Sequence, residues 1–233
     1  MYYCITTDER TDRREMCEFL FEEFSPVKVN FISNPKHKIP PQGIFQAHVQ
    51  VFKELLHQPS QSFHLIMEDD IFIDSLFFSE VERLKTKYLP RDSIDFIMLS
   101  PWNIFPQDVD SELVLTEHLS ATAYLIRTSF AKTLFSELYE ISLKSSLFIQ
   151  KKYHFDLYLS TNYPIYSLKT PICYQRRSLS DNIWLSWFPC GNKLTTFCCW
   201  PPIQQSTMMG YCFYYIIKCF LSPKTNYKRI PHQ

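Results

Sequence analysis

A short apolar run that ends abruptly in three carboxylates constrains this chain more than any other feature: Phe63-His64-Leu65-Ile66-Met67, then Glu68-Asp69-Asp70. The run has the length and composition of a buried strand, and the acids stop it. Adjacent carboxylates repel one another and are costly at the end of an apolar strand. If the strand continued, Glu68 and Asp70 would share one face and Asp69 would take the other. Two readings fit. A hard divalent cation with oxygen ligands would compensate Glu68 and Asp70. Alternatively, the acids form a solvated strand end, or cap a helix where its dipole favours them.

The surroundings of that run read as an alternation of strands and helices. Residues 2–6 suit a first strand and 8–12 are polar. A helix then runs to about residue 24, with Met16, Phe19, Leu20 and Phe24 on one face. Residues 27–32 suit a second strand, and 34–42, with three prolines, a loop. A second helix is expected over 43–57, with Ile44, Ala47, Val51 and Leu55 aligned. After the acids come a helix at 77–88, a strand at 94–99, an exposed loop at 100–110 and a strand at 121–126. A helix carrying Phe130, Leu134, Phe135, Leu138 and Ile141 follows. This order predicts a layered α/β domain with a mostly parallel central sheet flanked by helices. In such a sheet ligands bind beyond the carboxyl ends of the strands, which is where the acids fall.

Composition narrows the ligand. The 233 residues, 45% hydrophobic, suffice for one domain with a sizeable core. Formal net charge is zero, so no global basic field argues for nucleic acid. The three glycines, Gly43, Gly191 and Gly210, are dispersed, so no glycine-rich phosphate loop exists. A phosphorylated ligand would have to be neutralised another way, and a carboxylate-held cation is the obvious one. No cysteine pair has C-x-x-C spacing, and the chain opens on a strand-like segment rather than a signal peptide. Together these favour a cytoplasmic setting, with cysteines as apolar fillers, although the five after residue 189 leave a disulfide there open. Residues 189–233 are rich in Cys, Pro and aromatics and read as an extension. Its stretch from Tyr211, with nearby lysines, would either pack on the domain or contact a membrane peripherally.

Other candidates have two readings each. Asp8, Arg10, Arg13 and Arg14 follow the first strand. They suit contacts to a pyrophosphate or a base carbonyl, or a solvated helix start with pairs such as Arg14–Glu18. His48 sits mid-helix among apolar neighbours and reads first as a core residue. Asp156 would cap the helix that follows it, or serve as general base for a hydroxyl or as a further carboxylate near a cation. Asp181 has the same ambiguity.

In this order the pieces resemble glycosyltransferase family 25, which includes lipooligosaccharide and collagen hydroxylysine galactosyltransferases. The opening I-T-T-D-E-R-T-D-R-R resembles that family's I-N-L-D-R-x-x-D-R-R. Residues 43–48, G-I-F-Q-A-H, resemble its G-x-x-x-S-H, and L-I-M-E-D-D its strand ending in E-D-D. Residues 122–126, T-A-Y-L-I, resemble a later G-T-x-A-Y-x-I strand, and F-D-L-Y-L at 155–159 the P-x-D-x-x-L segment. Gln175 with Ser180-Asp181-Asn182 resembles the closing Q-x-x-x-x-S-D-I. The likeness covers roughly residues 2–183. It departs at Thr6-Thr7, at Ala47 and at Asn182.

The resemblance implies a GT-A type nucleotide-sugar fold over residues 1–188, a manganese or magnesium ion, and inverting transfer of galactose or glucose from a UDP-sugar. The acceptor would be a hydroxyl of a glycan, a lipid-linked sugar or a protein. Asp70 and Glu68 would hold the metal and Asp156 would act as base. Thr6, Asp8, Arg10, Arg13, His48, Glu68, Asp69, Gln175 and Asp181 would line the donor site. Two other readings stand beside it: a non-catalytic relative that binds a nucleotide sugar or a partner, and a metal-dependent phosphohydrolase using the same acids.

Overall fold

In β1 (Tyr2–Thr7) and β3 (Phe63–Glu68) successive side chains leave opposite faces of the sheet, and both faces are apolar. Tyr2, Cys4, Leu65 and Met67 enter one core, and Tyr3, Ile5 and Ile66 enter the other. Strands of this kind need helices on both sides. The computed structural model describes residues 1–38, 40–100, 103–118, 120–143 and 155–175, and there both sides are covered. On the first core lie α1 (Thr11–Phe24), through Cys17 and Phe21, and α3 (Phe77–Tyr88), through Phe77, Phe78, Val81 and Leu84. On the second lie α2 (Pro40–Leu55), α4 (Thr128–Leu143) and α5 (Phe155–Asn162). Phe45, Phe52, Leu134, Leu138, Phe155 and Leu159 bury there.

β2 (Val29–Asn34), β5 (Phe96–Met98), β6 (Asn103–Asp108), β7 (Leu113–His118), β8 (Ala123–Arg127) and β9 (Ile165–Leu168) join β1 and β3 in an eight-stranded sheet. Its order is β2-β1-β3-β8-β5-β9-β7-β6. β2, β1 and β3 are parallel, as are β5 and β9, whereas β8 and β7 run against their neighbours. Six of the eight strands therefore point one way, giving the layered α/β architecture with a mostly parallel sheet that the alternation predicts. A separate antiparallel pair joins β4 (Ile71–Phe72) to β10 (Tyr174–Gln175).

The strand order sets the site. The chain leaves β1 for β2 through α1 on one face, then returns past β1 to β3 through α2 on the other face. The direction of winding thus changes between β1 and β3. At such a switch point a crevice opens beyond the carboxyl ends of the strands.

Several details differ from the sequence expectation. β2 spans 29–34 rather than 27–32, and α2 begins at Pro40, within the stretch expected as a loop. Proline is tolerated in a first helical turn, where its missing N–H has no partner to lose. The expected exposed loop at 100–110 contains β6, an edge strand, where Pro106 is accommodated beside a register shift. On α1 half of the expected face holds: Leu20 and Phe24 pack against the core, whereas Met16 and Phe19 are 48% and 63% exposed and the buried residues are Cys17 and Phe21. Cys4, Cys17 and Cys173 are buried free thiols, as apolar fillers should be. Residues 189–233 and their five cysteines lie outside the described residues, as does Asp181. Among the described residues no helix is long and apolar enough to cross a membrane.

Candidate functional site

β3 ends at Glu68, and Asp69-Asp70 form a turn before β4, so the three carboxylates meet three different environments. Glu68 follows Ile66 on the α2 face. There His48, fully buried on α2, brings Nε2 to 3.4 Å from its Oε1. Asp69 turns to the α1 face. It accepts a hydrogen bond from the Thr6 hydroxyl on Oδ2 at 2.7 Å and one from Arg13 Nη1 on Oδ1 at 3.0 Å. The Cys17 thiol donates to its backbone carbonyl at 3.3 Å. Asp70 does not continue the alternation expected of an extended strand. Its Oδ2 lies 3.6 Å from the same Arg13 Nη1 and accepts a 2.9 Å hydrogen bond from Gln175 Nε2.

Asp70 Oδ1 is buried and has no hydrogen-bond partner among the described residues. Burial pushes Asp70 up to about 7, and the charge of Glu68 adds to it, although Arg13 and Gln175 pull the other way. Glu68 is likewise pushed up to about 7, by burial first and then by Asp156 and Asp69. Both acids thus sit far above the ordinary carboxylate range even with a guanidinium beside them. This is how carboxyls behave when a countercharge is incomplete.

Those observations test the site for a divalent ion. Among the described residues no three His, Cys, Asp or Glu side chains converge to hold a metal by themselves. Magnesium-like ions in phosphate-binding sites, however, take only one or two carboxylates and complete their shell with waters and substrate phosphates. The open Oδ1 of Asp70, with Glu68 near enough to raise its pKa, fits that kind of site.

The remaining candidates arrange around the acids. His48 Nδ1 lies 2.7 Å from the Tyr124 hydroxyl, and its ring stacks on Phe155 at 4.0 Å and 10°. Burial depresses its pKa to about 3, against a smaller upward pull from Asp156. Asp156 lies in the first turn of α5, immediately after Phe155, and its charge is felt at both His48 and Glu68. Asp8 accepts a hydrogen bond from Ser33, and its backbone N–H donates to Asn34 O at 3.0 Å, joining the ends of β1 and β2. Arg10 pairs with the exposed Asp12 at 2.9 Å. Arg14 pairs with Glu18 at 2.8 Å, the surface contact that their spacing implies. So Thr6, Arg13, Asp69, Asp70 and Gln175 form one connected cluster, with Glu68, His48 and Asp156 beside it. Asp8 and Arg10 lie on the neighbouring loop.

Tyr124 was missed as a site residue in sequence because an aromatic in an apolar strand reads as core. Only its pairing opposite Ile66, two residues before Glu68, reveals the proximity.

No family model and no curated protein matches the chain. Among solved structures the fold is similar to A197 from STIV, at 14% identity and a TM-score of 0.45, over 76% of this chain and 85% of that one. It is similar to a glycosyltransferase involved in the glycosylation of the major capsid of PBCV-1, at 13% identity and a TM-score of 0.40, over 70% and 80% of the two chains. It is also similar to S. aureus TarS 1-349, at 13% identity and a TM-score of 0.42, over 95% and 72%. Likeness at this level carries no argument about activity or substrate.

Proposed function

We propose that this chain is a metal-dependent glycosyltransferase of GT-A type that moves a hexose, galactose or glucose, from a UDP-sugar to a hydroxyl acceptor with inversion. One observation carries the reading. A buried carboxylate with an open oxygen, Asp70, stands at the switch point of an α/β sheet whose sequence has no glycine-rich phosphate loop.

Asp70, with Glu68, is the pair that would hold a manganese or magnesium ion. Bound there, the ion supplies Lewis-acid neutralisation of charge on the departing diphosphate. Gln175 and Arg13 orient Asp70, and Thr6 with Arg13 fixes Asp69 as the wall behind it. Asp8 and Arg10, on the loop after β1, face the nucleotide. Asp156 receives the acceptor hydroxyl proton while that oxygen bonds to the anomeric carbon and the bond to the diphosphate breaks on the opposite side. Asp181 belongs to the donor site in this reading through the family resemblance alone.

The decisive measurement is UDP and UDP-sugar binding by calorimetry, with and without manganese, for the wild type and Asp70→Asn. Cation-dependent UDP binding that the substitution abolishes, together with transfer, supports the reading. Equal binding and turnover in both proteins refutes it. Asp156→Asn separates the roles: donor binding persists while transfer is lost.

A further inference from the structure

We infer that Tyr124 is a positioning residue of the carboxylate site: its hydroxyl fixes the tautomer of His48, and His48 holds Glu68 through its other ring nitrogen. The geometry stands by itself; its consequence for turnover rests on the proposed transferase reading.

The accounting of protons is short. His48 is fully buried between two oxygen partners, and an imidazole carrying one proton donates from one ring nitrogen and accepts at the other. Nδ1 faces the Tyr124 hydroxyl at 2.7 Å, and Nε2 faces Glu68 Oε1 at 3.4 Å. Tyr124 is also fully buried and keeps its proton. If the phenol donates to Nδ1, the imidazole proton sits on Nε2 and points at the carboxylate. If Nδ1 carried the proton instead, the phenol hydrogen would be left without a partner in a buried site. Stranding a buried donor is the costlier arrangement, so the first tautomer wins.

Neither ring can turn away. His48 stacks on Phe155 at 4.0 Å, and Tyr124 stacks on Phe96 at 4.6 Å. Strand pairing places Tyr124 opposite Ile66 on one side and opposite Met98 on the other. The phenol is therefore anchored in the middle of the sheet, and the imidazole inherits that rigidity. The 3.4 Å contact to Glu68 is long for a hydrogen bond, a separation that closes on substrate binding in many active sites.

The test begins on the wild-type protein. Histidine labelled with 15N gives long-range 15N–1H correlations that distinguish the two tautomers, and loss of one pattern in His48→Gln assigns it. The expected result near neutral pH is the Nε2–H form. In Tyr124→Phe both tautomers should appear, and kcat/KM for the donor should fall roughly tenfold, the size of one lost hydrogen bond, together with manganese-dependent UDP binding. An Nδ1–H pattern in the wild type overturns the inference, and so does a Tyr124→Phe spectrum identical to wild type. The tautomer is read on the wild-type protein and needs no turnover. A protein that transfers no sugar yet shows the Nε2–H form sinks the transferase reading and leaves this one standing.

Discussion

Gln175 and Asp70 are separated by 105 residues and joined by a 2.9 Å hydrogen bond from the amide nitrogen to Oδ2. The bond favours ionised Asp70, whose pKa burial nonetheless raises to about 7. Gln175→Ala should weaken manganese-dependent UDP binding roughly tenfold, as expected for a charge-assisted hydrogen bond. The loss should be larger at about pH 6.5 than at about pH 8, because Asp70 without its donor holds its proton to higher pH. Calorimetric titration at both values checks this, and a pH-independent loss would contradict it.

Arg13 serves Asp69 and Asp70 together. Arg13→Met would leave two nearly buried carboxylates facing each other. Breaking a buried ion pair from one side should cost about 3 kcal/mol, read as a lower urea midpoint at unchanged slope. Arg14→Met, which removes an exposed pair with Glu18, should cost under about 0.5 kcal/mol. Similar losses in the two variants would reject the distinction.

Arg127 is 1% exposed. It donates to the carbonyls of Leu89, Arg91 and Ile94, lies over the Phe63 ring at 4.5 Å, and pairs with Asp95 at 3.2 Å. It ties the end of α3 to the start of β5. Arg127→Met strands several carbonyls and should cost about 3 kcal/mol or more. Asp95→Asn keeps them satisfied and should cost about 1 kcal/mol or less, because Asp95 is partly exposed. Denaturant unfolding of the two variants decides.

His64 is a pH probe away from the acids. Burial lowers its pKa from 6.5 to about 3, and its Nε2 sits 2.7 Å from the Thr128 hydroxyl. Between those values the unfolded chain binds the proton and the folded chain does not, so its contribution to stability is lost as pH falls from about 6.5 toward 3. Glu68 and Asp70, raised to about 7, act oppositely and stabilise as pH falls from about 7 to 4. The melting temperature of His64→Gln relative to wild type should therefore rise steadily below about pH 6.5. A constant difference across that range would show that His64 protonates in the folded state.

The sequence made the acids legible because an apolar strand has no reason to end in three carboxylates. It could not show that each would meet a different partner. Thr6, Arg13 and Gln175 come from three distant segments, and only the sheet order and the β4–β10 pairing bring them together. Helix faces were less legible. Of the α1 face that helical spacing suggests, Leu20 and Phe24 pack on the core, yet Met16 and Phe19 face outward and the smaller Cys17 packs inward, donating to the Asp69 carbonyl. β6 was not legible because Pro106 in an edge strand looks like a loop breaker. Tyr124 looked like packing, and it is packing as well as a hydrogen-bond partner of His48.

Arg13 has one more implication. A fold whose acids are partly countered by Arg13, and which can take up protons near neutral pH, would stand without a captured cation. Chelation would then silence such a protein without melting it, and resupply would restore it from the same pool of molecules. Ion availability would govern how much of the protein is working, not how much of it exists.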